Sequence, residues 1–230
     1  LQQWLGPDAL WPRAGNLLGS APFQLALLPL LLPLLGWSRL RHLLFAMVLL
    51  TLVVNLLKAG IGWPRPFHLQ PELARQSAQG FGMPSGHAAS TLLYWGLLLG
   101  WLPALRAWQG AMLALLLAGV AGLARVWLGV HFLSDVVAGL ALGALLLALR
   151  APLAKLAARP LPWAGVLIAS ALSAWLTQST ALAGLAMFTL GLVSGNLLSL
   201  ERSPTPALPA ALLTLAGGLA GAGLLFLAPA

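Results

Sequence analysis

Three short polar clusters interrupt a chain that otherwise consists largely of Leu, Ala, Gly and other apolar residues. They are KAGIGWPRP starting at Lys58, FGMPSGHAAS starting at Phe81 and ARVWLGVHFLSD starting at Ala124. Polar side chains in strongly apolar surroundings are costly and are usually kept for function. The residue types in these clusters therefore indicate which chemistry the chain can perform.

The basic residues in these clusters predict a site for an anion. Lys58, Arg65 and Arg125 would repel one another if they converged without a counter-charge, and the planar fork of arginine fits the oxygens of phosphate. The PSGH sequence favours a tight turn at a helix start, where free backbone N–H groups such as that of Gly86 attract anions. Ser85 adds a hydroxyl donor. Together these groups predict a phosphate-binding pocket.

The histidines predict a nucleophile and an acid. His131 and Asp135 are four residues apart, a spacing that places both on one face of a helix. The carboxylate can then hold one ring nitrogen of His131 and leave the other free to attack. His87 belongs to a different cluster and is free to donate a proton. Cations, an oriented histidine and a second histidine are the groups needed for phosphoryl transfer through a phosphohistidine.

The three clusters resemble the signature of the type 2 phosphatidic acid phosphatase superfamily. That pattern is Lys, six residues, Arg-Pro; then Pro-Ser-Gly-His; then Ser-Arg, five residues, His, three residues, Asp. At matching spacings this chain has Lys58, Arg65 and Pro66, then Pro84, Ser85, Gly86 and His87, then Arg125, His131 and Asp135. The single departure is Ala124, where the family usually has Ser, a residue expected to make a supporting contact. The resemblance covers residues 58–135.

The resemblance also implies a role for each matching residue. His131 would attack phosphorus, Asp135 would orient it and stabilise its charge, and His87 would protonate the leaving oxygen. The phosphate oxygens would be held by Lys58, Arg65, Ser85, Gly86 and Arg125. Neither a metal nor another cofactor is expected, since the few acidic residues form no convincing carboxylate cluster.

Composition indicates that these clusters work inside a membrane. Of the 230 residues, 60% are hydrophobic and 7% are charged, against about 25% charged residues in a soluble domain. The chain must therefore use lipid as its solvent. It has no cysteine, which excludes disulfides and thiolate metal sites. The net charge of +8 is interpreted as a mark of cytoplasmic loops rather than nucleic-acid binding.

Apolar runs separated by Gly, Pro, Trp or charged residues predict an all-α, polytopic membrane bundle of about eight transmembrane helices. The runs are 21–37, 41–59, 86–102, 109–125, 131–149, 163–178, 181–199 and 207–228. Residues 1–20 are predicted to be an interfacial segment, residues 21–150 a catalytic core of five helices, and residues 151–230 an extension of three helices. Small-residue pairs such as Gly96/Gly100 and Gly139/Gly143 predict close helix packing.

The distribution of basic residues predicts the orientation of the bundle. If the turns alternate between the two sides, one side receives Arg39, Arg41, Arg106, Arg150, Lys155, Arg159 and Arg202. Without the three cations of the clusters, the other side receives only Arg13 and Arg75. Cytoplasmic loops carry the excess of Lys and Arg. The phosphate site is therefore predicted to face outward, for a bacterial inner-membrane protein towards the periplasm.

These expectations lead to a lipid phosphate or diphosphate phosphatase. Undecaprenyl diphosphate, phosphatidic acid and phosphatidylglycerol phosphate are candidate substrates. The number of helices is similar to that of the dolichyl-diphosphate and sphingosine-phosphate phosphatase branches, and this likeness favours a polyprenyl diphosphate. A phosphotransferase using the same site and a lipid-phosphate transporter or scramblase remain alternatives. The expected partners are the lipid substrate and the bilayer, with no nucleic acid, and the sequence predicts no oligomeric state.

Overall fold

The computed structural model describes residues 10–200, and every regular element within that range is helical. The helices are α1 Trp11–Leu18, α2 Ala21–Ile61, α3 Pro66–Leu69, α4 Gly86–Gly100, α5 Ala107–Trp127, α6 Leu133–Ala148, α7 Arg150–Ala157, α8 Pro160–Thr177 and α9 Thr180–Leu200. A 3₁₀ turn, Pro71–Leu73, follows α3. The predicted run 207–228 and the first nine residues of the predicted interfacial segment lie outside the described residues. The all-α class is confirmed for the part that is described.

Several of these helices are long and apolar enough to cross a membrane. Within the described residues they are the segment Ala21–Leu69, Ala107–Trp127 and Pro160–Thr177, with a fourth span if α6 and α7, bent by 66°, are counted as one. Membrane character is therefore supported, whereas the total of about eight crossings stays a prediction.

The predicted runs 21–37 and 41–59 both fall within α2, which is 41 residues long. At about 1.5 Å per residue, such a helix is roughly twice as long as the hydrocarbon core of a bilayer is thick. The helix is broken at Gly36, whose φ of 71° lies in the left-handed region that favours glycine. Pro29 and Pro33 precede the break and remove hydrogen bonds from that part of the helix. The boundary between the two predicted runs thus corresponds to a real interruption.

The chain forms two compact units. Within the described residues, the first unit contains residues 10–27 together with Leu56–Arg150, and the second contains Leu28–Asn55 together with residues 151–200. All three polar clusters belong to the first unit. The division into domains at residues 20/21 and 150/151 stays a prediction.

Within the first unit, α4 packs against both α5 and α6, and α1 packs against α5. Alanines on α5 make the contact with α4 close, because Ala114 and Ala118 pack directly against Leu92. The hydroxyl group of Tyr94, at the centre of α4, donates a 3.0 Å hydrogen bond to the carbonyl oxygen of Gln24. This bond satisfies a polar group that would otherwise be costly to bury.

Glycines bring α6 against the start of α4. A Cβ atom added at Gly139 would lie 2.4 Å from the carbonyl oxygen of Ser85, and one added at Gly143 would lie 2.8 Å from the carbonyl oxygen of Ala89. No other residue allows this approach, so the predicted packing role of this pair is confirmed. The same prediction is wrong for Gly100, because a Cβ there would meet nothing within 4 Å.

The second unit has an apolar core of its own, in which α8 packs against α9. The rings of Phe45 and Trp163 meet edge to face with their centroids 5.0 Å apart. The indole N–H of Trp163 donates to the carbonyl oxygen of Ala157 at 3.0 Å. Trp163 is buried, so it is a core residue with a satisfied polar group.

Candidate active site

The sequence-predicted site residues occupy helix ends and short connections of the first unit. Lys58 lies in the last turn of α2, Arg65 directly precedes α3, Ser85 is the N-cap of α4, Gly86 and His87 begin α4, Arg125 lies in the last turn of α5, His131 lies between α5 and α6, and Asp135 lies in the first turn of α6. Helix ends carry backbone groups without intrahelical partners. The arrangement therefore collects polar groups that the helix interiors do not use.

The ring of His131 is fixed through one nitrogen. Its Nδ1 lies 3.1 Å from Oδ2 of Asp135, and both side chains are almost completely buried, at 2% and 0% exposed. With the proton on Nδ1, that nitrogen donates to the carboxylate and Nε2 keeps its lone pair. Burial lowers the pKa of the His131 imidazole below its ordinary value, and the hydrogen bond with Asp135 opposes that shift. A neutral imidazole whose Nε2 carries no proton can act as a nucleophile.

A shared helix face, which the spacing of these two residues predicted, is not what joins them. His131 lies outside the helix, because α6 begins at Leu133. Oδ2 of Asp135 also accepts a 2.9 Å hydrogen bond from the backbone N–H of Phe132, the N-cap of α6. Asp135 thus caps the start of its own helix, and the same oxygen reaches back to the ring of His131. Capping geometry, rather than helical periodicity, brings the pair together.

The start of α4 is held against this pair. The backbone N–H of Ser85 donates to the carbonyl oxygen of Asp135 at 2.8 Å. Ser85 is buried and caps α4, with its hydroxyl oxygen 3.5 Å from the N–H of Ala88. The N–H groups of Gly86 and His87, at the first two positions of the helix, have no intrahelical acceptor. Because of the positive end of the helix dipole, these groups favour an anion beside His131.

Arg65 is held by backbone carbonyl groups. Its Nε donates to the carbonyl oxygen of Gly80 at 2.8 Å, Nη1 to that of Val130 at 2.8 Å, and Nη2 to that of Gln79 at 2.9 Å. Three of its five N–H groups are occupied in this way. Nη1 also lies 3.4 Å from Nε2 of His131. With the proton of His131 on Nδ1, the remaining N–H of Nη1 donates to the lone pair of Nε2, so the guanidinium lies directly beside that nitrogen.

Arg125 is fixed by two neutral side chains. Its Nη1 donates to Oδ1 of Asn16, on α1, and to Oε1 of Gln76 at 3.1 Å, in the loop between the first two clusters. Sequence reasoning assigned neither residue to the site. An asparagine in an amphipathic segment and a glutamine in a loop carry no local signal of such a contact.

Lys58 and His87 are the remaining charged or titratable residues of the candidate site. They lie near the two ends of the connection between α2 and α4. Lys58 lies within electrostatic range of Arg65, Arg125 and Asp135, and His87 lies within range of Lys58, both arginines and His131. Neither side chain makes a hydrogen bond to the rest of residues 10–200, so both are free for a ligand. Asp135 is the acidic group among these charges, and the cations outnumber it. The excess of positive charge suits an anion with at least two negative charges.

The donor set offers little to a metal ion. Across the part of the chain that is described, no group of three or more His, Asp or Glu residues is close enough to hold one. The donors around His131 are mainly N–H groups of arginine, lysine and backbone, which bind oxyanions rather than cations.

Comparisons with known proteins agree with this geometry. The family model of the PAP2 superfamily matches residues 39–157, a range that contains all three clusters. A lipid phosphate phosphatase delta from Arabidopsis thaliana is 33% identical over 149 residues, which cover 56% of this chain and 34% of that relative. The match thus spans about a third of the length of the relative. No solved structure matches the chain. Because the family model covers more than half of its length, this chain belongs to the PAP2 superfamily.

Proposed function

We propose that this chain is an integral-membrane phosphatase for lipid phosphates or diphosphates that works through a phosphohistidine on His131. The observation that carries the proposal is the position of His131 between its two neighbours. Nδ1 is held by Asp135 at 3.1 Å, and Nε2 lies 3.4 Å from Nη1 of Arg65. A nucleophilic nitrogen is thereby oriented from one side and faces a phosphate-binding cation on the other.

The proposed reaction has two steps. In the first, Nε2 of His131 attacks phosphorus, the bond from phosphorus to the leaving oxygen breaks, and His87 gives that oxygen its proton. In the second, His87 takes a proton from water as the water attacks, and the N–P bond breaks to release inorganic phosphate and free His131. Asp135 stabilises the positive charge that the ring of His131 carries between the steps.

The remaining residues of the site hold the phosphoryl oxygens while these bonds change. Charge on those oxygens would be stabilised by Lys58, Arg65, Ser85, Gly86 and Arg125. Fixed donors of this kind lower the barrier most when they are aimed at the charge of the transition state. The three backbone carbonyls on Arg65 hold it in place before substrate binds, so its orientation costs nothing during the reaction.

The proposed substrate is a polyprenyl diphosphate such as undecaprenyl diphosphate, with phosphatidic acid and phosphatidylglycerol phosphate as the other candidates. A lipid of this kind keeps its apolar chain in the bilayer and presents its phosphate at a helix end, where all the clusters lie. The relative from Arabidopsis is named for lipid phosphates. On the basis of loop charge, we place the reaction on the outer side of a bacterial inner membrane.

The test is chemical trapping of the phosphoryl group. The purified full chain is mixed with a lipid phosphate labelled in its phosphoryl group and denatured within a single turnover, and the label is then mapped. We expect acid-labile label on His131, and we expect His131→Ala to lower turnover by at least about a thousandfold. Ser134→Ala is the matched control, because Ser134 is exposed and lies between the paired residues; it should behave like the unchanged chain.

The same experiment separates the alternatives. Label that moves from His131 to a second lipid rather than to water identifies a phosphotransferase. Transport of a lipid phosphate without any label on the protein identifies a carrier and rejects the proposal. Turnover by His131→Ala within about tenfold of the unchanged chain rejects His131 as the nucleophile.

A further inference from the structure

Helix α1 packs unusually closely along the end of α5. A Cβ atom added at Gly15 would lie 2.9 Å from the Cβ of Ala124 and 2.9 Å from the carbonyl oxygen of Val120. Such separations are shorter than packed atoms tolerate, so α1 can occupy this position only because residue 15 is glycine and its neighbour Ala124 is small. The family usually has Ser in place of Ala124, and here that position is covered by α1.

The next residue of α1 is Asn16, and its contact with Arg125 is specific. Oδ1 of Asn16 and Oε1 of Gln76 both accept hydrogen bonds from the same nitrogen, Nη1 of Arg125. That nitrogen has two N–H groups, so both are used. Nε of Arg125 is buried and has no hydrogen-bond partner among the described residues. One edge of the guanidinium is therefore fixed while the other edge remains free for an incoming acceptor.

The charge of the two acceptors also matters. A buried arginine is commonly paired with a carboxylate, which would cancel its charge. Arg125 is 4% exposed, yet the side chains that accept its hydrogen bonds among the described residues are both neutral amides. The guanidinium is thereby held in one orientation and keeps its whole positive charge. A phosphate site needs such an oriented arginine with an uncancelled charge. A structural ion pair would orient the arginine but cancel its charge.

We infer that Asn16, assisted by Gln76, is a positioning residue that aims the free edge of Arg125 at the phosphate of the substrate, so that α1 is a part of the active site. The inference rests on the proposed function, since it assigns Arg125 to phosphate binding. It extends the site by a segment more than one hundred residues away in sequence, because 109 positions separate Asn16 from Arg125. It also gives α1 a role in the active site beyond its predicted position at the membrane surface.

The test compares two near-isosteric changes in the full-length protein in detergent. Asn16→Leu removes the acceptor, whereas Asn16→Asp keeps it and adds a negative charge. For each variant, KM and kcat are measured with a lipid phosphate, orthovanadate affinity by equilibrium dialysis, and the melting temperature. The matched control is Leu17→Ala, a change at a position of α1 that is 50% exposed.

We expect Asn16→Leu to raise KM and to weaken orthovanadate binding by about tenfold or more, from the lower end of what one hydrogen bond to a charged group contributes upward. Asn16→Asp should keep the melting temperature of the unchanged protein and still bind orthovanadate more weakly, because the added charge cancels that of Arg125. Leu17→Ala should match the unchanged chain. Together these results would support the inference.

Other results would overturn it, and they differ from a failure of the proposed function. If Asn16→Leu lowers only kcat and the melting temperature, with KM and orthovanadate affinity unchanged, Asn16 is structural and the inference fails while the phosphatase stands. If the unchanged chain binds orthovanadate but releases no phosphate from any lipid, the phosphatase fails while weaker binding by the Asn16 variants still supports the inference. If the unchanged chain binds no orthovanadate, both fail.

Discussion

The surroundings of His131 set the pKa of its imidazole. Burial lowers this pKa most, the hydrogen bond with Asp135 raises it, and the charges of Arg65, Lys58 and Arg125 lower it further. In the proposed mechanism the neutral ring is the nucleophilic form. Since its pKa lies below the ordinary value of about 6.5, the neutral form persists into mildly acidic solution. The lowered pKa also makes folding stability depend on pH. The contribution of His131 to the free energy of unfolding is fully present above the pKa of the unfolded chain. It is lost as the pH falls through the folded pKa, because the unfolded chain binds the proton more readily.

The pH profile of kcat/KM tests this balance directly. The acid limb should have its midpoint below about pH 6.5, since kcat/KM reports the groups of the free enzyme. In Asp135→Asn the midpoint should move to still lower pH, because the contact that raises the pKa of His131 is lost. Using one substrate for both proteins cancels the titration of the substrate itself. A limb that moves to higher pH in the variant would show that Asp135 does not act on His131 in this way.

Helices α4 and α6 place Ser85 beside Asp135 only because their backbones approach so closely. The approach depends on Gly139, where an added Cβ would lie 2.4 Å from the carbonyl oxygen of Ser85. That obstacle is rigid backbone rather than the end of a flexible side chain. Any larger residue must therefore push the start of α4 away from the loop that carries His131.

We accordingly expect Gly139→Ala to destabilise the protein by about 1–3 kcal/mol and to lower activity more than stability alone explains. The measurements are the melting temperature and kcat/KM for the folded fraction. Gly100→Ala is the control: it lies on the same pair of packed helices but meets nothing within 4 Å, and alanine there should be neutral or stabilising by up to about 1 kcal/mol. Equal behaviour of the two variants would contradict the close-packing argument.

For the molecule as a whole, the charge distribution predicts which side of the membrane the proposed site faces. The basic residues outside the site fall mainly on one side if the turns alternate, and that side is proposed to be cytoplasmic. The chain has no cysteine, so single cysteines report sidedness without background. The structure also selects the positions. Ser77 and Ala158 are exposed, whereas Ala157 beside the latter is buried and would not react.

Ser77→Cys should therefore react with a membrane-impermeant thiol reagent in intact cells, and Ala158→Cys should react only after permeabilisation. The first position lies in the loop between the first two clusters and the second in the basic stretch between α7 and α8. Labelling of Ala158→Cys alone in intact cells would reverse the proposed orientation and remove the outer-leaflet assignment. Reaction of both in denaturant controls for poor expression of either variant.

The amino-acid sequence by itself determined the family and the helical class, and it supplied the residues of the proposed site. Lys58, Ser85 and His131 each lie in a motif whose members are close along the chain, so spacing alone identifies them. The helical class is also predictable from each segment separately, because any apolar segment placed in lipid must satisfy its own backbone hydrogen bonds. The clusters also fall at helix boundaries, which Pro, Gly and polar residues mark in the sequence.

Tertiary structure decided the partners that hold these residues. Three backbone carbonyls orient Arg65, and a carbonyl has no signature in the sequence because every residue has one. Asn16 meets Arg125 across 109 positions, a pairing that exists only because Gly15 lets α1 approach α5. Even the contact between His131 and Asp135 arises from a helix cap rather than a helix face. The sequence motifs specify which chemical groups are present. The orientation of those groups depends on contacts that form only when helices distant in sequence pack together.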